Sequence, residues 1–498
     1  MEQKNNVVVY REIPYSILND DLDGIVKSDF FTELNEIAGY YEVYRKGAEF
    51  TSEGANGDYI PSQTRYKKAR NLINKEARFM FSVPFDITVN FEEKNDEASK
   101  TSNDNLNKLI RTIMSDNHFN SEMVKAGRDC FIGKRICITA NFNDTSGVTL
   151  TFLKATEFYY EYSGNVLTKL IAFYVEQDAS NSADRIIRKK TYTLEEEICY
   201  ITDQRYDGLG VELETTMDHF ATKLSFIPGV IIQNDGLLGD IRGESEIEEM
   251  LNYEREYSKL ANLDIDAERK SMNATRYTID ASAESTKNLS IAPGSFWDIQ
   301  SDDNGVEQKS ASVGMLEPSM TYSQPLQTTL ERIDQNMYSE LSVPNIDGER
   351  LQGVITSGKT LKALYWPLVV RCNEKALVWI DQLEALIRII VEGCNAYPAS
   401  GRKHGRFDEV NVAYKVEVVN NYPLPEDEQE EKTVDMAEVS SQVMSRKAYM
   451  MKWRGLTEEE ARQELEQIAM ERQLLEDTFA DVPVMGEGTL GGGMDEIV

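Results

Sequence analysis

The amino-acid sequence predicts an α+β fold. Three observations carry that reading: apolar residues recur every three to four positions near both ends, short β-branched and aromatic runs fill 135–232, and only isolated pieces elsewhere alternate with the period of a strand. At ~150 residues per unit, 498 residues suffice for about three compact domains. Lys and Arg number 53 against 85 Asp and Glu, a net charge of −32. That excludes a surface gripping polyanions everywhere, because tight nucleic-acid binding needs cations to displace condensed counterions. With 41% hydrophobic and 9% aromatic residues, the chain is a folded protein and not an acidic disordered tail.

Residues 1–10 hold no apolar leader core, so a cytoplasmic start is expected. Ile25, Val26, Phe30, Phe31, Leu34, Ile37 and Tyr41 predict a helix over 23–45 that ends near Gly47. Ala69, Leu72, Ile73, Ala77 and Met80 predict a second over 64–81, stopped by Pro84. Phe85, Ile87, Val89 and Phe91 alternate as a half-buried strand, and a helix follows over 106–114. Strands at 136–140, 148–153, 170–175, 188–194 and 197–202 make a meander or small sheet.

Residues 243–270 form a long helix in which Ile247, Met250, Leu251, Tyr257, Leu260 and Ile265 draw a thin apolar line among glutamates. Such a helix needs a partner surface. Short strands at 276–279 and 295–309, the second bent at Asp303-Asn304-Gly305, precede a helix over 321–341 stopped by Pro344. A β unit between two narrow helices suits a projecting stalk. Residues 345–357 read as a mobile loop. A helix over 359–395 carries Pro367, where a kink is expected because proline lacks the donor and clashes with the preceding turn. Its apolar stretch 376–391 contains Asp381, Glu384 and Arg388 and is too short for a bilayer, so it is a buried helix. A strand over 410–419 and two closing helices complete the chain, the second started by the capping box of Thr457 and Glu460. The Gly-rich residues 478–498 are expected to be disordered.

Gly353-Val354-Ile355-Thr356-Ser357-Gly358-Lys359-Thr360 matches the P-loop pattern, and Leu377-Val378-Trp379-Ile380-Asp381 imitates its partner motif. A P-loop needs a preceding strand, whereas 341–352 holds Pro344, Asp347-Gly348 and no apolar run; the second motif lies inside helical periodicity. Asn19, Asp21, Asp23 and Gly24 imitate a calcium loop, but Phe30 stands where its bidentate glutamate belongs. His118, His219 and His404 have no metal spacing, and Cys130, Cys137, Cys199, Cys372 and Cys394 have no CxxC spacing. Buried thiols are expected. No catalytic residue, metal or cofactor is predicted.

Several stretches together resemble the portal, or head-to-tail connector, proteins of tailed bacteriophages of the siphophage type, over roughly 22–476. They are Tyr40-Tyr41-Glu42 with Gly47, Asn71-Leu72-Ile73 with Phe79-Met80-Phe81-Ser82-Val83-Pro84-Phe85, and Gly127-Arg128-Asp129-Cys130. Further along come Ile227-Pro228-Gly229-Val230-Ile231-Ile232-Gln233-Asn234 with Gly243-Glu244-Ser245-Glu246-Ile247, then Thr356-Ser357-Gly358-Lys359-Thr360-Leu361-Lys362. Ser445-Arg446-Lys447 with Thr457-Glu458-Glu459-Glu460 and Glu464 closes the series. Ser82 replaces a usual glycine and Thr360 a common alanine.

The resemblance implies a portal fold: an α/β wing over 1–240 and 359–421, stem helices over 241–270 and 321–343, a small clip over 271–320, a tunnel loop over 344–358, and a helical crown over 425–477. The tunnel loop would comprise Asn345, Ile346, Asp347, Gly348, Glu349, Arg350, Leu351, Gln352, Gly353, Val354 and Ile355. Channel cations touching DNA would be Lys259, Arg269, Lys270 and Arg350, with solvated or intersubunit ion pairs as the bland reading; Arg276, Tyr277, Phe296 and Trp297 would form the clip's docking surface. It further implies a ring of twelve copies at a capsid vertex of the virion, assembled in the host cytoplasm. Double-stranded DNA would pass through it, and its partners would be the terminase large subunit, a head-completion or adaptor protein, and the major capsid and scaffolding proteins, with no membrane. Two other classes remain open: a P-loop ATPase using Lys359, and a monomeric acidic scaffold or adaptor.

Overall fold

The computed structural model describes residues 13–52, 59–92, 97–177, 181, 184–272, 275–287, 289, 297–301, 310–316, 320–345, 358–424 and 428–480. It is a mixture of helix and sheet, as the α+β reading expects. The chain divides into two compact units, 1–347 with 364–423, and 348–363 with 424–498.

In the first unit, α1 (Gly24–Lys46) and α2 (Lys68–Phe81) precede strand β1 (Asp86–Phe91). Ile87, Val89 and Phe91 point inward, as their alternation predicts. Helix α3 (Glu97–Asp116) is longer than expected, and α4 (Phe119–Gly133) has no counterpart in the sequence pattern. Its small residues break the apolar period: Gly127 lies under the Phe81 ring, where a Cβ would come within 2.2 Å of a ring carbon. The glycine sets how closely α2 and α4 approach.

Strands β2 (Arg135–Asn143), β3 (Gly147–Lys154), β4 (Phe158–Ser163), β5 (Val166–Gln177), β6 (Ile186–Glu195), β7 (Ile198–Asp207), β8 (Glu212–Ala221) and β9 (Gly229–Gln233) follow. They form two sheets, β3-β2-β9 and β4-β5-β6-β7-β8, and not one meander. All ten residues of β8 are exposed, so no inward and outward alternation marks it in the sequence. The sheets share a core built on Phe158, Leu170, Tyr192 and Ile231.

Helix α5 (Glu246–Met272) and helix α6 (Ser323–Glu340) flank an antiparallel pair, β10 (Thr275–Ile279) with β11 (Ser312–Leu316). The second strand is therefore 312–316 and not 295–309: Trp297 to Gln300 has no ladder partner, and 302–309, with the predicted turn, lies outside the described residues. Helix α7 (Gly358–Ala396) continues through Pro367 as one helix; its stretch from Ala376 to Val391 is buried along Trp379, Leu383, Ile387 and Ile390, whereas Leu377, at the start of the periodic stripe, is exposed. Strand β12 (Tyr414–Val419) pairs antiparallel with β1.

The second unit holds three closing helices where the periodicity predicts two: α8 (Glu428–Ser440), α9 (Arg446–Arg454) and α10 (Glu458–Ala480). Gly455, at φ 64°, separates the last two. The capping box is present: the Thr457 amide donates to Glu460 Oε2 at 2.9 Å, and the Glu460 amide to Thr457 Oγ1 at 3.4 Å. Helix α10 runs to Ala480, past the expected start of a disordered tail at 478; residues 481–498 lie outside the described residues. All five cysteines are buried and free. Among the described residues no helix is long and apolar enough to cross a membrane.

Candidate functional site

Helix α2 is the hub of the region where the long helices meet. Its buried face, Leu72, Ile73, Glu76, Ala77, Phe79 and Met80, turns toward α5, α6 and α7. Lys68 Nζ pairs with Asp334 of α6 at 2.8 Å, and Lys75 Nζ donates to the Tyr338 hydroxyl at 3.0 Å. Tyr253 Oη on α5 donates to Glu340 Oε1 on α6 at 3.2 Å, and Tyr322 pairs with Asp264 at the other end. Helices α5 and α6 therefore run antiparallel.

The thin apolar line of α5 predicts a missing partner, and part of that partner is in the same chain. Glu254, Ser258, Asn262 and Asp266, four residues apart, lie on one buried line of α5. Each meets the backbone of the segment leading into α2. Glu254 accepts the amides of Ala48 at 3.0 Å and Ala69 at 2.7 Å; Ser258 Oγ accepts Tyr66 N–H at 3.2 Å. Asn262 accepts Thr64 N–H at 2.8 Å and returns a bond to the Thr64 carbonyl at 2.7 Å, as a neighbouring strand would. Asp266 accepts Ser62 N–H at 2.9 Å. This polar ladder replaces a β-partner for an extended segment whose backbone groups would otherwise be left unpaired. The four-residue spacing of Glu, Ser, Asn and Asp is itself visible in the sequence, but glutamates crowd every face of α5 and hide it.

At the base of α5 two buried acids meet a buried lysine and a partly buried arginine. Glu76 of α2 lies 3.0 Å from Lys375 Nζ and 3.1 Å from Arg371 Nε, both on α7. Glu246, in the first turn of α5, contacts Lys375 and sits 3.4 Å from Arg371. Burial and the neighbouring Glu76 charge push the Glu246 carboxyl up to about 8. Glu76 is held below its ordinary value, against its own burial, by Lys375, Arg371 and a hydrogen bond from Glu246. Neither Glu76 Oε2 nor Glu246 Oε2 has a hydrogen-bond partner among the described residues, and a proton shared between the two carboxyls would satisfy both oxygens. Arg371 also donates to the Glu340 carbonyl at 3.2 Å, capping α6 with a cation. One cluster thus joins four helices.

The sequence-predicted site residues fall in three places. Lys259 is half-buried on α5; Arg269 lies 3.5 Å from Asp266, and Lys270 Nζ stands 5.0 Å from the Tyr59 ring centroid. Arg276 stacks on Trp297 at 4.8 Å, and Tyr277 lies across Gly314 of the facing strand, where a Cβ would meet its ring at 2.4 Å. The structure thus brings three of the four docking candidates to the β10–β11 pair, while Phe296, Arg350 and 346–355 lie outside the described residues. Asn345 follows α6 in irregular backbone.

The P-loop match at 353–357 lies outside the described residues; the stretch from Leu377 to Asp381 serves packing and the imitation calcium loop serves helix entry. Leu377 to Asp381 is helical and not the strand a nucleotide site needs, with Trp379 buried and Asp381 exposed. Asn19 accepts from Lys27 at 2.7 Å and Asp21 from Lys189 at 2.6 Å, so the imitation calcium loop is an ion-paired helix entry. His404 resembles half of a catalytic dyad, with Nδ1 2.6 Å from Asp116, yet its Nε2 accepts the Val148 amide at 2.9 Å. Both ring nitrogens are committed to structure. Among the described residues no group of His, Cys, Asp and Glu could hold a metal ion.

A family model described as "Phage portal protein, SPP1 Gp6-like" matches residues 28–474. No curated protein matches the chain.

Proposed function

This chain belongs to the SPP1 Gp6-like family of phage portal proteins, a structural family of the virion, and on that premise we propose that its copies close into a ring around a channel for double-stranded DNA at one capsid vertex. The observation that carries this reading is the extent of the family match, 28–474, which takes in the long helices of the first unit and the closing helices of the second. Antiparallel α5 and α6 supply the stem, and the β10–β11 pair between them supplies the clip, with Arg276, Tyr277, Phe296 and Trp297 as the surface for a terminase or head-completion partner. Asn345 to Ile355 is the tunnel loop, and Lys259, Arg269, Lys270 and Arg350 make the sparse phosphate contacts. With a net charge of −32 per copy, the ring repels a duplex more than it holds it. Weak contact suits a polymer that must slide, because each counterion-releasing contact adds to the barrier against movement.

Negative-stain imaging of the purified protein tests the reading directly. Rings with a central hole are expected; a single 56.6 kDa species at every concentration refutes the ring and favours the acidic adaptor. ATP hydrolysis by the protein alone, abolished in Lys359→Ala, would instead establish the ATPase reading. The helical state of Leu377 to Asp381 speaks against it.

A further inference from the structure

The two units are joined by the chain at three places, and two of these crossings, 363/364 and 423/424, lie sixty residues apart in the sequence. A tyrosine stands beside each of the two, Tyr365 after the first and Tyr422 before the second. Both stack on the same ring: Phe79 of α2 lies 5.5 Å from the Tyr365 centroid at 12° and 5.2 Å from the Tyr422 centroid at 9°. All three residues belong to the first unit. Tyr422 Oη also donates to Asn373 Oδ1 on α7 at 2.8 Å, a second tie between the same two segments.

The backbone is weakened at these points. Pro367 has no N–H to offer the carbonyl of Ala363, so the helical ladder of α7 lacks a bond at the residue where the units divide. Pro423, at the other crossing, cannot extend a strand ladder. Where these main-chain bonds are missing, the aromatic stack and the Tyr422 hydrogen bond to Asn373 tie the two segments side by side.

We propose that Phe79 is a shared anchor through which the two chain connections move together, so that displacement at Tyr365 is transmitted to residues 422–423 across its ring. The coupling belongs to the chain itself and does not depend on the ring or on DNA.

Hydrogen exchange of the purified protein, in whatever oligomer it forms, tests this by reciprocity. Tyr365→Leu is expected to speed exchange of the β12 amides at 416–419, and Tyr422→Leu that of α7 at 368–372. Each rise is about three- to tenfold, the worth of one stacked aromatic pair, with β5 and β6 amides unchanged. Tyr422→Phe keeps the ring and loses only the hydroxyl bond, and is expected to leave 368–372 within about twofold of wild type. Both tyrosines are partly exposed, so these variants fold even where Phe79→Leu does not. If each leucine variant alters only its own segment, the shared anchor is refuted. A uniform rise that includes β5 and β6 also refutes it, since that reports general loosening and not transmission.

Discussion

One buried proton at the base of α5 has a measurable signature. If Glu76 and Glu246 share it, the cluster needs one negative charge between them to face Lys375 and Arg371. Glu246→Gln imitates the protonated acid, and in Glu76→Gln the surviving Glu246, freed from its like-charged neighbour, ionises in its place. Each single variant is expected to cost about 1 kcal/mol or less near pH 4.5, because a hydrogen-bonded buried amide replaces a hydrogen-bonded buried carboxyl. The double variant leaves Lys375, with 2% of its side chain exposed, and Arg371 without a carboxylate at Glu76 or Glu246. That loss is expected to cost about 3–5 kcal/mol, so the pair is coupled by about 2–3 kcal/mol. Urea unfolding of the four proteins at one protein concentration reads these values.

The pH dependence follows from the same proton. The folded state holds it up to about pH 8, whereas the unfolded carboxyl releases it near 4.5. Its contribution to stability is whole below pH 4.5 and is lost as pH rises toward 8, with a slope approaching about 1.4 kcal/mol per pH unit. Glu246→Gln lacks that slope and is expected to overtake the wild type above about pH 5–6. Additive single-variant costs of about 3 kcal/mol each, with the slope unchanged in Glu246→Gln, would refute the shared proton.

Other outcomes follow from individual contacts. Asn262→Ala removes the two-way pairing with Thr64 and is expected to lower stability by about 1–3 kcal/mol, with faster exchange of the Thr64 amide; unchanged exchange refutes the ladder. Gly127→Ala drives a methyl into the Phe81 ring and is expected to cost at least about 2 kcal/mol, partly restored by Phe81→Leu in thermal melts. Thr457→Ala removes the capping box of α10 and is expected to cost about 1 kcal/mol, read by exchange at 458–462 with the first unit unaffected. Replacing residues 345–355 by a short rigid linker is expected to leave rings intact while blocking packaging in complementation assays, and normal packaging rejects the tunnel-loop role.

The sequence by itself determined the periodic elements. Helices with a broad apolar face, such as α2 and the later part of α7, and strands with one buried face, such as β1, are legible because burial on one side imprints its period on the residues. The capping box of α10 and the burial of all five cysteines were legible for the same local reasons, and the family motifs added what isolated periods lack, their order along the chain. Strand β8 stayed hidden because it buries neither face, and β11 because the turn signal at 303–305 drew the predicted strand upstream. Only the tertiary structure decided that the polar line of α5 holds the backbone of 62–69, that Glu76 and Glu246 meet across 170 positions at Lys375 and Arg371, and that Tyr365 and Tyr422 close on one Phe79. Such pairings depend on distances between segments remote in the chain, and a hydrogen bond or a shared proton leaves no period behind for a single sequence to display.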